Sequence, residues 1–271
     1  MDLAAIYDDY LVSKTIEKDR DPLRLFVTDC GRCPRAVALR MTQAEKKHLS
    51  VNEMRNQRLM WDLAEYIEKT LADALELQGL LVDYQFPIPI DDRENWGGRG
   101  DILADSAGSL TRRIIEVKTI RSQAFRFTDR PKKEHVYQAS IYEHYLEKPA
   151  TLVYFDRGGA NTPEQYDVES DWPTCSTLMD ELEAVRAGLP EIPGILPRVL
   201  KKTDRNTKIR LVPDWRCGYC DYAGKSCKPH ESTETWVDMS AGFTPTKKAD
   251  MDAVYEWALS EADEALLEVL K

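Results

Sequence analysis

Gly97-Gly98-Arg99-Gly100-Asp101-Ile102-Leu103-Ala104 leads through Asp105-Ser106-Ala107-Gly108-Ser109 into Arg113-Ile114-Ile115-Glu116-Val117-Lys118. The first segment is a Gly-rich turn entering a strand, and the second is a cluster of turn-forming residues. The third is a strand, because β-branched apolar residues dominate its centre. Two strands joined by a short Gly-containing turn form a hairpin. Residues two apart on a strand share a face, so Glu116 and Lys118 lie on one side and Val117 on the other. Antiparallel pairing through Ala107-Gly108 brings Asp101 towards Glu116.

The surrounding sequence supplies the rest of a sheet and its cover. Asn52 to about Leu77 has Leu59, Met60, Leu63, Tyr66, Ile67 and Leu71 at helical spacing. Gly79 breaks this pattern, and Leu80–Phe86 reads as a strand. Glu134–Glu147 reads as a helix stopped by Pro149, Thr151–Phe155 as a strand, and residues 176–188 as a helix. Helices against a mixed sheet predict an α/β (α+β) fold. Residues 247–270 predict a C-terminal amphipathic helix, a surface for packing or for docking a protein partner.

Two carboxylates side by side repel unless a cation lies between them. Oxygen ligands of this kind suit Mg²⁺ or Mn²⁺. Asp101 and Glu116 are therefore the candidate metal ligands. An ion there polarises a phosphodiester and activates water, while Lys118 orients that water or stabilises developing negative charge. The bland reading is a surface Glu-x-Lys on an exposed strand, a common pattern. Gly98-x-x-Asp101 upstream and the aliphatic Ile114-Ile115 run weigh against it.

In order, Gly98-x-x-Asp101, Ile115-Glu116-Val117-Lys118 and Gln138-Ala139-Ser140-Ile141-Tyr142 resemble the core motifs of PD-(D/E)XK nucleases. The last matches the Q-x3-Y motif of the RecB-like branch. The resemblance implies a restriction-endonuclease-like core with a mixed central sheet flanked by helices. It implies catalysis by Asp101, Glu116 and Lys118, and DNA contact by Gln138 and Tyr142. Members of this family carry a histidine on the upstream helix; here Met60 aligns with it, and Asn56 with a usual glycine. Asp62 or Glu65 is the alternative ligand, against a reading of both as solvated helix residues.

The sequence has six cysteines, and Cys217-x2-Cys220-x6-Cys227 fall in one short loop. An acidic N-terminus without a signal-like apolar run predicts an intracellular, cytoplasmic chain, where clustered cysteines bind metal rather than form disulfides. Three thiolates leave a tetrahedral ion or a cubane cluster one ligand short. Cys33, followed by Pro34-Arg35, is the candidate fourth, with Cys30 as competitor. The layout resembles the iron–sulfur nucleases, which include AddB and the CRISPR-associated Cas-four-type exonucleases. The resemblance implies a 4Fe-4S cluster joining the N- and C-terminal parts of the chain. Zn²⁺ on the same thiolates is the alternative, and the late spacing is one residue longer than usual. Cys175 reads as a buried small apolar residue.

The expected organisation is a helical region with Cys33 (1–80), a nuclease core (81–195), a cysteine-rich segment (196–232) and the C-terminal helix (233–271). A net charge of −10 runs against a nucleic-acid binder. Yet Arg112–Lys133 and Arg198–Arg210 are strongly basic, as solvated faces or as a phosphate-tracking groove. No apolar run is long enough to span a bilayer. The family reading gives a Mg²⁺- or Mn²⁺-dependent DNA exonuclease of bacterial, archaeal or phage origin, acting on single strands or ends. Its settings would be recombination and repair, phage DNA metabolism or CRISPR spacer processing. One alternative is a catalytically weak DNA-binding or scaffold protein that keeps the fold. Another is a zinc-stabilised interaction domain whose Glu-x-Lys is incidental.

Overall fold

In the computed structural model, the described residues are 3–14, 21–106, 108, 111–159, 161–188, 198–202, 208–212, 215–227 and 237–238. The expected helix at 247–270 lies outside them. The chain divides into two compact units, Met1–Arg32 with His48–Pro190, and Cys33–Lys47 with Glu191–Lys271.

The first unit begins with helix α1 (Leu3–Lys14), strand β1 (Leu25–Phe26) and a 3-10 turn at Val27–Gly31. In the second unit, Pro34–Met41 forms α2. Helix α3 (Val51–Leu77) opens on a capping box. There Glu53 N donates to Ser50 Oγ at 3.3 Å and Ser50 N donates to Glu53 Oε2 at 2.8 Å. Gly79, at φ +69°, turns the chain into β2 (Leu81–Ile88). Next come β3 (Trp96–Asp105), β4 (Arg112–Ile120), the one-turn α4 (Ser122–Phe125) and α5 (Lys133–Leu146). The unit closes with β5 (Ala150–Asp156), β6 (Glu164–Asp167) and α6 (Trp172–Arg186). Helix α6 starts earlier than expected because Pro173 occupies its first turn, where a missing N–H costs nothing.

These strands form a mixed six-stranded sheet flanked by helices, consistent with a restriction-endonuclease-like core. β2 and β4 flank β3 antiparallel, β5 runs parallel to β4, and β6 closes the far edge antiparallel. The parallel β4–β5 step is made by α4 and α5, the crossover that such a pair requires. The β3–β4 ladder runs only from Asp105↔Arg112 to Ile102↔Ile115. Beyond it β3 pairs with β1 instead, at Leu25↔Trp96 and Phe26↔Gly97. The two strands of the hairpin therefore part at the position where Asp101 faces Glu116.

One face of the sheet buries Ile102, Ala104 and Val117 against Ala72, with Ile67, Leu71 and Leu75 of α3 packed around them. Gly100 is dictated by packing, since a Cβ there would stand 2.5 Å from the Phe86 ring.

In the second unit, β7 (Arg198–Lys202), β8 (Lys208–Val212) and β9 (Val237–Asp238) form a small antiparallel sheet. Arg198, Lys201, Lys202, Lys208 and Arg210 of the second basic run fall on β7 and β8, and Arg205 lies outside the described residues. The loop 215–227 docks on the segment 33–47. Lys47 N donates to Asp221 O at 2.7 Å, and Ser226 Oγ donates to Glu45 O at 2.6 Å. Lys225 pairs with Glu45 at 2.9 Å.

Candidate active site

The site forms where β3 and β4 part. Val117 N, released from the β3 ladder, donates to Asp101 Oδ2 at 2.8 Å. A buried amide without a partner would be costly; the carboxylate takes the place of the missing strand carbonyl. Glu116, 2% exposed, and Lys118 point to the opposite face from Val117, towards α5.

Helix α5 supplies the clamp. Gln138 and Tyr142 are one turn apart and both buried. Gln138 Nε2 donates to Glu116 Oε1 at 2.7 Å and to the Tyr142 hydroxyl at 2.9 Å. Tyr142 in turn donates to the Arg99 carbonyl oxygen at 2.9 Å, beside Asp101 on β3. Lys118 Nζ donates to Glu116 Oε1 at 2.6 Å and to Gln138 Oε1 at 2.9 Å. All five sequence-predicted site residues of the hairpin and α5 therefore meet in one polar network. Gly98 admits this packing, since a Cβ there would stand 3.3 Å from the Tyr142 ring.

The charges in the network are unbalanced. Two carboxylates face one ammonium, and Glu116 Oε2 is buried without a hydrogen-bond partner. Burial, followed by the Glu116 carboxylate, pushes Asp101 up to about 8. For Lys118 burial acts downward, but Glu116 and Asp101 outweigh it and hold the ammonium above its ordinary value. Burial and Glu116 keep the Tyr142 hydroxyl protonated well above its usual range. An orphaned carboxylate oxygen beside a second carboxylate that resists ionisation is the donor set a hard divalent cation would complete.

Helix α3 contributes a carboxylate that sequence reasoning missed. Asp62 is committed to Arg58, and Glu65 is exposed. Glu68 instead accepts from Gln85 Nε2 at 3.0 Å, and its carboxyl is raised by burial and by Asp101. Met60 Sδ lies 3.1 Å from Arg157 Nη1. Beside Lys118, burial drives His135 down to about 3, helped by Lys118 and Lys132. Its Nδ1 lies 2.6 Å from the Tyr154 hydroxyl.

The cysteines separate into two sets. Cys30 and Cys175 are buried in the first unit, with their thiols pushed up to about 12, chiefly by burial. Cys33, Cys217, Cys220 and Cys227 all belong to the second unit, with Arg35 Nη1 3.9 Å from Cys227 Sγ. Among the described residues, no three Cys, His, Asp or Glu side chains are arranged to hold a metal ion. The early and late segments of this unit are linked by backbone and side-chain hydrogen bonds. Among the described residues, no helix is long and apolar enough to cross a membrane.

No protein-family model and no curated protein matches this sequence. Among solved structures, that of SSO0001 is similar at 18% identity over 80% of this chain and 94% of that chain, with a TM-score of 0.50. An alkaline exonuclease (LHK-Exo) from Laribacter hongkongensis is similar at 14% identity over 66% of this chain and 94% of its own, with a TM-score of 0.41. LHK-Exo in complex with dAMP gives 13% identity, the same coverage and the same TM-score. The likeness to SSO0001 bears on the fold alone.

Proposed function

We propose that this chain is a divalent-metal-dependent DNA nuclease, an exonuclease acting on single strands or ends. The observation that carries the reading is the Asp101–Glu116 pair, with a buried, unpartnered Glu116 oxygen and Lys118 held against it. Asp101 and Glu116 would hold Mg²⁺ or Mn²⁺. A cation bound there would polarise a phosphodiester and activate a water for attack.

The chain's own residues do the rest. Lys118 stays an ammonium, so it acts by charge on the developing phosphorane-like oxygens rather than as a base. Two of its three N–H donors are taken by Glu116 and Gln138, which leaves one for phosphate or water. Gln138 and Tyr142 hold Glu116, Lys118 and the β3 backbone in register. This positioning role is the one their buried contacts support, beside the DNA contact that the family resemblance implies.

The test is cleavage of end-labelled single- and double-stranded DNA with Mg²⁺, Mn²⁺ or EDTA. Wild type should cleave with metal, and Asp101→Ala and Lys118→Ala should lose at least two orders of magnitude in rate, roughly. Metal-independent cleavage, or cleavage that survives both substitutions, would overturn the reading. The resemblance alone suggests recombination and repair, phage DNA metabolism or CRISPR spacer processing as the setting.

A second reading, a DNA-binding or scaffold protein of weak activity, is favoured by Met60. It stands where the family's metal-binding histidine is usual, and its sulfur contacts Arg157. Binding without cleavage in the same assay would select it.

We propose the iron–sulfur assignment of Cys33, Cys217, Cys220 and Cys227 on the cysteine spacing and the docking of loop 215–227 on the segment of Cys33. An anaerobic preparation should be brown, with bound iron; a colourless protein with one zinc per chain would replace iron by zinc.

A further inference from the structure

The basic run from Arg112 to Lys133, which begins on β4, is sorted by the structure into used and unused cations. Arg112 pairs with Asp105, Arg113 with Asp167, and Lys118 belongs to the site. Arg121, Arg126, Arg130 and Lys133 remain exposed, and none makes an ion pair among the described residues. In their midst Phe127 is 78% exposed.

A single exposed apolar residue is ordinary on a protein surface. This one is held out by its anchoring. Phe125, two residues earlier, is buried and fixes α4 to the core. Phe127 N donates to Ala124 O at 3.1 Å, and Thr128 N donates to Phe125 O at 3.0 Å. Tyr166 donates to Thr128 O at 3.3 Å, and Lys132 N donates to the Tyr154 hydroxyl at 3.1 Å. Those two tyrosine rings meet edge to face, with centroids 5.7 Å apart. The turn is pinned on both sides, so it presents the Phe127 ring to solvent in a set position. In the chain it follows β4, the strand that carries Glu116 and Lys118, and α4.

We propose that Phe127 is the stacking platform for an unpaired base of a nucleic-acid strand, whose phosphates are held by Arg121, Arg126, Arg130 and Lys133. An aromatic face accepts any base, and the surrounding cations hold the backbone without reading sequence. The inference rests on the nuclease reading for its strand, and it deepens that reading by assigning a single-stranded or frayed substrate.

The test is binding in EDTA, where cleavage is silent, to single-stranded oligonucleotides containing 2-aminopurine. Phe127→Ala should weaken binding about tenfold and lose the stacking quench, while Phe127→Trp keeps both. Arg126→Ala should lower the salt dependence of binding by about one phosphate contact and leave the quench in place. The ring is exposed, so both Phe127 variants should melt with wild type. Equal affinity and equal quench for wild type and Phe127→Ala would overturn the inference even if wild type cleaves DNA. Absence of single-strand binding by wild type would overturn it too. A Phe127-dependent quench without cleavage in any metal would leave this site standing and remove the nuclease reading.

Discussion

Asp101 Oδ2 accepts the backbone N–H of Val117, the residue between Glu116 and Lys118, at 2.8 Å. One side chain thereby completes the β3–β4 ladder where the strands part and also places its charge against Glu116. The structural role needs only an acceptor. Burial and Glu116 oppose the charge and outweigh Lys118 and the Val117 N–H, which favour it. The two roles can be separated by a substitution that keeps the acceptor.

Asp101→Asn retains an oxygen for Val117 and removes one of two repelling carboxylates. In EDTA at pH 8 it should be more stable than wild type, by about 1 kcal/mol, the gain typical of relaxing a strained functional site. Cleavage should fall to background. Thermal melts and the cleavage gel measure both; a destabilised Asp101→Asn protein would show that the negative charge helps the fold.

The raised Asp101 also sets the pH dependence of metal binding. Its carboxyl ordinarily titrates near 3.8 and here near 8. Between those values the unfolded chain loses a proton that the native chain keeps. The Asp101 contribution to stability is therefore present at low pH and is lost as pH rises from about 4 to about 8. A cation needs the ionised form, so the stabilisation by Mn²⁺ should grow across the same window and level off above it. Melting curves with and without Mn²⁺ from pH 5 to 9 test this, and Asp101→Asn should flatten the trend.

Gln138 bridges Glu116, Lys118 and Tyr142, and these three side-chain bonds all lie inside the network. Gln138→Leu should lower kcat by about 10- to 100-fold, the usual cost of losing a partner that orients a ligand. Affinity for single-stranded DNA in EDTA should stay at the wild-type value. A loss of affinity in place of kcat would assign Gln138 to the DNA rather than to the positioning of Glu116.

The hairpin and its site were legible in the sequence because their signals are local. Alternation puts Glu116 and Lys118 together, and the Ile102↔Ile115 register carries Asp101 to Glu116. The carboxylate on α3 was not legible. Counting back from the buried Ala72 at 100° per residue, Glu65 and Glu68 fall on nearly the same stripe. Only the depth at which the helix crosses the sheet edge leaves Glu65 exposed and brings Glu68 near Asp101. The docking of loop 215–227 on residues 33–47 is equally non-local, since it rests on backbone carbonyls of Asp221 and Glu45 that carry no sequence signal.

His135 acts in the opposite sense to Asp101. Its ring ordinarily titrates near 6.5 and here near 3, so the native chain refuses a proton that the unfolded chain accepts. The stability it contributes is present above about 6.5 and is lost as pH falls towards 3. His135→Gln cannot ionise. It should cost about 1 kcal/mol at pH 7 through the Tyr154 contact, and lose less stability than wild type between pH 6 and 4. Urea titrations at the two pH values decide; parallel losses would place the acid sensitivity elsewhere.

Gly100 tests whether the site depends on the packing beneath it. A Cβ at Gly100 would stand 2.5 Å from Phe86 Cζ and 3.2 Å from Ile88 Cδ1, so β2 or β3 must shift. Gly100→Ala should cost about 1–3 kcal/mol by overpacking. Because Asp101 is the next residue, the shift should lengthen its bond to Val117 and weaken Mn²⁺ binding as well. Gly100→Ala combined with Phe86→Leu removes the ring that the new methyl strikes. The pair should recover Mn²⁺ affinity even where stability is not fully restored. If the double variant binds Mn²⁺ no better than Gly100→Ala alone, the Phe86 ring is not what sets the position of Asp101.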